Sequence, residues 1–295
     1  MNKAIPFILL ILTMLLWAAN FYAVKIALEH YAPLGIATWR FLFGVLTLLG
    51  ILFIRNRKEV FLLKYKKKEW WYLFLTAFFG IFLTIYFFNV GLKTTSAING
   101  SLILATAPAI TGVFSFFLLK QRLTFMQWLA ISISFFGVII ILVKGDVTKL
   151  FDLKFEIGDI YILLMAIVFS YSQIIVSKHL AHIDAIKMTS IASFFALVLF
   201  SIFSIPELAV NTIPTAPSFW WSVLFMGVLG TGLAYAAFFY CVVKLGTTIS
   251  ALSMNLIPFF AVLLAFPFGE KLHSVQIFGG VIIILGIVIF KRNKR

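Results

Sequence analysis

One guanidinium, two prolines and a scatter of amides, hydroxyls and aromatic rings are the residues whose chemistry stands out here against a background of hydrocarbon. Pro108 and Pro258 lie at matching places, each about midway along a long apolar run. Each removes a backbone N–H, so the carbonyl four residues earlier, on Leu104 or Met254, loses its helical partner. In lipid such a carbonyl costs several kcal/mol unless another helix, water or a solute satisfies it. Interrupted helices at corresponding positions are the sequence mark of a solute site near the bilayer midplane. A plain kink repaired by the Thr106 hydroxyl is the competing reading, and the matched pair favours a cavity.

Other polar groups fall on the same runs. Trp17 and Asn20 are three residues apart and share a helix face. Ser172, between Tyr171 and Gln173, stands where the second half repeats Asn20. Tyr86 and Asn89 share one run, and Asn99 and Thr106, seven apart, share a face of the next. Thr231, Tyr235 and Asn255 follow in later runs. In hydrocarbon such groups turn inward, either as interhelical hydrogen bonds worth about 1 kcal/mol each or as the wall of a pathway. For Asn20, Tyr86 and Asn255, on separate helices, the pathway is expected. Trp17 fits pathway or packing. Arg40, roughly 10 Å by helical rise from the nearer end of its run, is either the counter-charge of a substrate carboxylate or a structural tie. Glu29 as partner favours the tie.

The elements that must hold these groups follow from composition. With 63% hydrophobic residues, 12% charged and 35 Phe, the chain cannot cover a soluble globule. It divides into ten apolar runs, about 5–28, 33–54, 70–91, 97–119, 125–143, 157–177, 188–206, 218–241, 247–268 and 273–290. Each is long enough to cross roughly 30 Å of hydrocarbon as helix. The runs lack the strict alternation of a β-barrel. The first reads as a membrane helix, since its apolar stretch exceeds that of a leader and no small-x-small site follows. The lone Cys241 excludes a disulfide framework and a multi-cysteine metal site.

Charge orients the runs. With the N-terminus inside, 17 of the 24 basic residues fall on the cytoplasmic side and six outside, and Arg40 lies within the membrane. That is a firm positive-inside bias, which predicts both termini in the cytoplasm of an inner (plasma) membrane protein. The cluster between Arg55 and Lys68 sits in one short loop and suits anionic lipid; no nucleic-acid partner is expected.

The second half repeats the first. Trp70-Trp71, Gly80, Leu83 and Pro108 recur 150 residues later as Trp220-Trp221, Gly230, Leu233 and Pro258. After one deletion the offset is 149, pairing Gln121 with Glu270, Gln127 with Gln276 and Gly137 with Gly286. The division is residues 1–144 as a first five-helix repeat, 145–156 as an outside connecting loop, and 157–295 as a second repeat with a basic tail. Five is odd, so the halves insert upside down relative to one another. The expected fold is an all-α integral membrane protein of ten transmembrane helices in two inverted five-helix repeats. Such a pair of halves has two nearly equivalent packings, one open to each side, the physical basis of alternating access.

Trp17-x-x-Asn20-Phe21, Arg40-Phe41, the mid-run prolines and the endings Lys120-Gln121-Arg122-Leu123-Thr124 and Gly269-Glu270-Lys271-Leu272 together resemble the EamA family of the drug/metabolite transporter superfamily. The resemblance spans essentially the whole chain. It implies ten helices, cytoplasmic termini, and export or exchange of amino acids and other small metabolites. Two departures from the family pattern stand in the first half, Lys120 for the usual Gly and Gln121 for the usual Glu.

Absences narrow the mechanism. Asp and Glu lie near the ends of the runs, so a proton relay through membrane carboxylates has no evident carrier. There is no phosphate-cradling GxxxxGK[ST], no HExxH and no pair of catalytic carboxylates. The expectation is a secondary transporter with a small-molecule substrate, membrane lipid around it, no cofactor and no bound metal, with a homodimer left open. The alternatives are a channel, a lipid scramblase or a membrane-embedded enzyme. Pathway residues are expected to be Trp17, Asn20, Arg40, Tyr86, Asn89, Asn99, Thr106, Pro108, Tyr171, Gln173, Tyr235, Asn255 and Pro258.

Overall fold

The computed structural model describes residues 4–55, 65–95, 100, 103–143, 148, 156–210, 212–265 and 274–292, and these contain no strand. Eight helices are long and apolar enough to cross a membrane: α1 (Ala4–Leu28), α2 (Pro33–Arg55), α3 (Lys67–Thr94), α6 (Ile157–Leu180), α7 (Ala185–Phe203), α8 (Pro217–Leu245), α9 (Thr247–Leu264) and α10 (Ser274–Arg292). Two shorter apolar helices, α4 (Ala107–Leu119) and α5 (Phe125–Val143), complete the ten segments of the two repeats.

Helix ends are set by local chemistry. Pro217 opens α8, where its missing N–H is one of the unpaired donors anyway. The Asp184 carboxylate caps α7 by accepting from the Ile186 and Lys187 amides. Glu207, on a short helix spanning Ile205–Val210, caps α2 from outside the helix, accepting from the Leu34 and Gly35 amides at 2.9 Å each. Glu69 and Asp159 reach back to the amides of Lys66 and Glu156. These acidic residues work at helix termini, where the dipole and the free N–H groups favour negative charge. One terminus is strained: α4 ends on Lys120 in the left-handed region, φ 55°.

The two proline segments are broken, not merely kinked. Residues 105–106 form a turn before α4, which places Pro108 in the first helical turn, where its missing donor costs nothing. In α9 the piece Thr247–Ser253 ends in a turn at 254–255, and the chain resumes as Leu256–Ala265. The Thr106 hydroxyl donates at 2.6 Å to the Ile103 carbonyl, which also accepts from the Thr106 amide, and not to the Leu104 carbonyl that Pro108 leaves without its helical donor.

The halves interlock. α3 packs on α6 as α8 packs on α1, α4 packs on α6 as α9 packs on α1, and α2 meets α7 while α5 meets α10. Each half therefore buries its first helix against the other half, and neither owns a separate core. Small residues bring the backbones together. A Cβ on Gly137 would lie 2.7 Å from the Gly279 carbonyl, and one on Gly286 would lie 2.7 Å from that of Ala130, so α5 and α10 touch backbone to backbone. Their outer faces carry the exposed rings of Phe125, Phe136 and Phe278, which suit hydrocarbon.

Two further departures from helix regularity occupy matching positions. α3 widens to a π-helix over Phe78–Leu83 and α8 over Met226–Leu233. The Gly80 position faces the Ser172 hydroxyl at 2.6 Å, and the Gly230 position faces the Asn20 amide nitrogen at 2.5 Å, as seen by an added Cβ. Short π segments concentrate at functional sites, and these two lie on either side of the pseudo-twofold.

Candidate functional site

Between the halves lies a cavity of about 50 Å³, room for a few water molecules. α1 contributes Trp17, Asn20 and Phe21, α2 Arg40, α3 Phe88, α6 Phe169 and α8 Tyr235. Leu104 and Met254, the carbonyl-bearing residues ahead of the two prolines, also line it. The two broken segments thus converge on one cavity from opposite halves.

Arg40 supplies its charge. The side chain is 3% exposed, and its Nε donates to the Thr231 hydroxyl at 2.8 Å. Gly44 and Gly227 let this happen: a Cβ on Gly44 would lie 2.7 Å from Thr231 Cγ2, and one on Gly227 would lie 2.7 Å from the Arg40 carbonyl. α2 and α8 can therefore approach closely enough for the hydroxyl to reach the guanidinium. The expected tie to Glu29 does not form; Glu29 is exposed, and no carboxylate among the described residues lies within 4 Å of Arg40. The guanidinium breaks the symmetry, since Thr231 repeats the position of Ile81.

Trp17 and Asn20 share the face their spacing requires, and both look at the π segment of α8. The Trp17 indole N–H donates to the Gly230 carbonyl at 3.1 Å. Its ring meets Phe169, Tyr235 and Phe238 at centroid distances of 5.9, 5.4 and 4.9 Å. Asn20 is 4% exposed, and its Oδ1 has no hydrogen-bond partner. A buried acceptor without a donor costs about 1–3 kcal/mol, which a solute donor in the cavity would relieve.

Most of the other sequence-nominated residues stand elsewhere. Tyr86 stacks with Phe82 at 6.5 Å, away from the cavity. Asn89 donates to the Pro33 carbonyl at 3.1 Å and fastens α3 to the start of α2. Tyr171 packs between Phe79 and Phe114. Gln173 is fully buried on α6 with neither amide atom partnered. Asn255 faces α5, donating to the Ser134 hydroxyl at 2.9 Å, because the turn at 254–255 sends Met254 inward instead. Thr106, Pro108 and Pro258 shape the breaks without lining the cavity. Asn99 lies outside the described residues. Phe88, Met165 and Phe169 line the cavity and have no polar group to single them out in the sequence; the repeat offers one signal, since Phe169 stands where the second half repeats Trp17.

At the end of the bundle that carries Arg55 a polar cleft of about 430 Å³ opens between residues 121–124 and 245–249, with Arg122, Gln127 and Thr248 in its wall. Between cleft and cavity, α4 packs on the first piece of α9, and the Ser115 hydroxyl lies 3.1 Å from Thr247 Oγ1. By helical rise this contact is about 16 Å along α4 from Leu104.

Inverted halves around a central cavity, with broken helices meeting there, are the architecture of secondary carriers. The chain belongs to the EamA-like transporter family, whose model matches residues 4–143 and 156–292, and it is a multi-pass membrane transporter of that type. It is 26% identical to the uncharacterized transporter YyaM of Bacillus subtilis over 274 residues, 92% of this chain and 88% of that protein. It is 27% identical to an uncharacterized transporter of Archaeoglobus fulgidus, covering 95% of each. A protein of Streptantibioticus cattleyicolor named a probable terminal-alkyne amino-acid exporter is 22% identical over 96% of this chain and 92% of its own. A solved crystal structure shares the fold at a TM-score of 0.77 and 17% identity, covering 98% of this chain and 96% of that one.

Proposed function

We propose that the protein exports or exchanges small amphipathic metabolites, amino acids among them, by alternating access around the Trp17–Arg40–Tyr235 cavity. The observation that carries this reading is Arg40: a guanidinium buried in the bundle, facing a cavity, with a neutral hydroxyl partner and no carboxylate within 4 Å among the described residues. A permanent charge placed so deep is costly unless it meets a counter-charge, and a substrate carboxylate supplies one. The unpartnered Asn20 Oδ1 suits an ammonium, and the rings of Trp17, Phe169 and Tyr235 suit an apolar side chain. The likeness to a probable amino-acid exporter supports the same class.

In this reading the Ser115–Thr247 contact closes the cavity towards the polar cleft, and parting of α4 from α9 opens it. The protein sits in the plasma membrane with both termini and the Arg55 end cytoplasmic, the orientation the basic residues favour. Single-cysteine labelling at Lys66 and Lys93 tests it, the native Cys241 being buried. Modification of residue 66 from outside intact cells would overturn the orientation.

The function is tested by counterflow of radiolabelled amino acids, nucleobases and sugars in proteoliposomes. Saturable counterflow of a carboxylate-bearing solute is the expected result. Flux without saturation would indicate a channel, phospholipid flip a scramblase, and turnover without translocation an enzyme.

A further inference from the structure

The two repeats differ most in bulk on one face of their third helices. Phe82, Tyr86 and Phe87 of α3 are repeated in α8, 150 residues on, as Gly232, Ala236 and Ala237. In the first half the rings fill the space they face: Phe82 meets Phe203 of α7 at 5.2 Å, and Phe87 meets Tyr161 of α6 at 6.1 Å. The residues 152 positions before Phe203 and Tyr161 are Ile51 and Leu9, and these face Gly232 and Ala237 across an open groove of about 550 Å³. Where one side of the pseudo-twofold has five aromatic rings the other has Gly232, Ala236, Ala237, Ile51 and Leu9, and the groove is the volume those rings would fill.

The groove runs beside α8 from Gly232 to Tyr240, about 12 Å by helical rise, against about 15 Å for the hydrocarbon of one leaflet. Leu12 and Leu233 on its lips are 48% and 43% exposed, so it opens sideways towards the bilayer. At one end it meets the Arg55–Asp184 ion pair, 3.0 Å apart and partly exposed, with Lys187 in the adjoining first turn of α7. The sequence from Arg55 to Lys68 carries seven basic residues against one acidic, so that end of the bundle is basic.

We infer that the groove is a phospholipid site, with one acyl chain lying between α1 and α8 and an anionic headgroup at Arg55 and Lys187. An apolar slot open to hydrocarbon takes a chain of the bilayer, and the basic rim selects the phosphate. The site is separate from the central cavity, since no residue lines both.

The test uses the full chain in nanodiscs containing phosphatidylglycerol whose acyl chain carries a diazirine. After photolysis, adducts should concentrate on residues 9–16 of α1 and 233–240 of α8, about tenfold over the lipid-facing Phe136 and Ile284. The variant Ala237→Phe restores the ring found at Phe87. It should cut groove adducts and retained phospholipid about tenfold, equivalent to about 1.4 kcal/mol of affinity. Arg55→Gln with Lys187→Gln should keep an acyl chain but lose the preference for phosphatidylglycerol over phosphatidylcholine. Adducts spread evenly over the lipid face of the unsubstituted protein, or unchanged in a folded Ala237→Phe protein, would overturn the site. An unchanged lipid preference in the double variant would overturn the headgroup assignment.

Discussion

The Arg40 guanidinium of the first half is held by the Thr231 hydroxyl of the second at 2.8 Å. The bond crosses between the halves at the cavity wall, so it couples the charge to the relative position of α2 and α8. Thr231 sits within the π segment of α8, where a change of helix register would carry the hydroxyl away. Arg40→Gln should lower saturable counterflow at least about tenfold, a barrier change of about 1.4 kcal/mol. Arg40→Lys should rescue little, because a compact ammonium cannot reproduce the planar fork. Thr231→Val should have a smaller effect, seen first in KM. Parent-like exchange by a folded Arg40→Gln protein would reduce Arg40 to a structural tie.

The paired glycines make a prediction about stability. Gly80→Ala and Gly230→Ala should each cost about 1–3 kcal/mol by overpacking against Ser172 and Asn20. Gly50→Ala is the control: its Cβ would meet nothing within 4 Å, so helix propensity should make it neutral or stabilising by up to about 1 kcal/mol. Thermal unfolding in detergent ranks the three, and a Gly230→Ala protein as stable as Gly50→Ala would refute the close contact.

Carboxylates acting as caps predict transport that needs no single one of them. Glu207→Gln keeps an acceptor for the Leu34 and Gly35 amides but loses the charge at the start of α2. Exchange should persist, with stability lower by about 0.3–1 kcal/mol. Loss of exchange from a well-folded variant would place a coupling role at that membrane edge.

Asp184 gives a pH dependence. Burial pushes its carboxyl up, but hydrogen bonds from Arg55 and from the Lys187 and Ile186 amides outweigh burial and hold it below the usual carboxylate range. Its folded pKa is depressed, so the stability it contributes is present above the unfolded value of about 3.9 and is lost as pH falls through the folded value. Asp184→Asn retains a good cap and should flatten stability between about pH 5 and pH 3. Asp184→Ala should also cost about 1 kcal/mol at neutral pH. Identical acid profiles for parent and Asp184→Asn would show that the Arg55 pair contributes nothing.

Lys120 ends α4 at φ 55°, a conformation that costs a side-chain-bearing residue about 1–2 kcal/mol. The second half has Gly269 at the corresponding place. Lys120→Gly should therefore raise thermal stability with no loss of exchange, and a lower melting temperature would mean that the lysine side chain makes up for its backbone.

Ten membrane segments and their inverted pairing are legible in the sequence, because they rest on composition over about twenty residues and on a repeat that aligns with itself; the ends are legible only to within a few residues, the run 70–91 being Lys67–Thr94 and the run 218–241 being Pro217–Leu245. The first helix was placed at 5–28 and spans Ala4–Leu28; the fifth was placed at 125–143 and is Phe125–Val143. The face shared by Trp17 and Asn20 was likewise visible, since helical spacing sets it. Which polar residues meet was not. Asn255 turned to Ser134 and Arg40 to Thr231, 191 residues away, because a turn after Ser253 and the approach of Gly44 to α8 set those directions. Apolar cavity residues such as Phe88 and Met165 carry no mark distinguishing them from lipid-facing ones, for hydrocarbon is the solvent on both sides of such a helix. The groove beside Ala236 and Ala237 shows the same division: the small residues are plain in the sequence, and that they face Leu9 and Ile51 across open space is a property of the packed bundle.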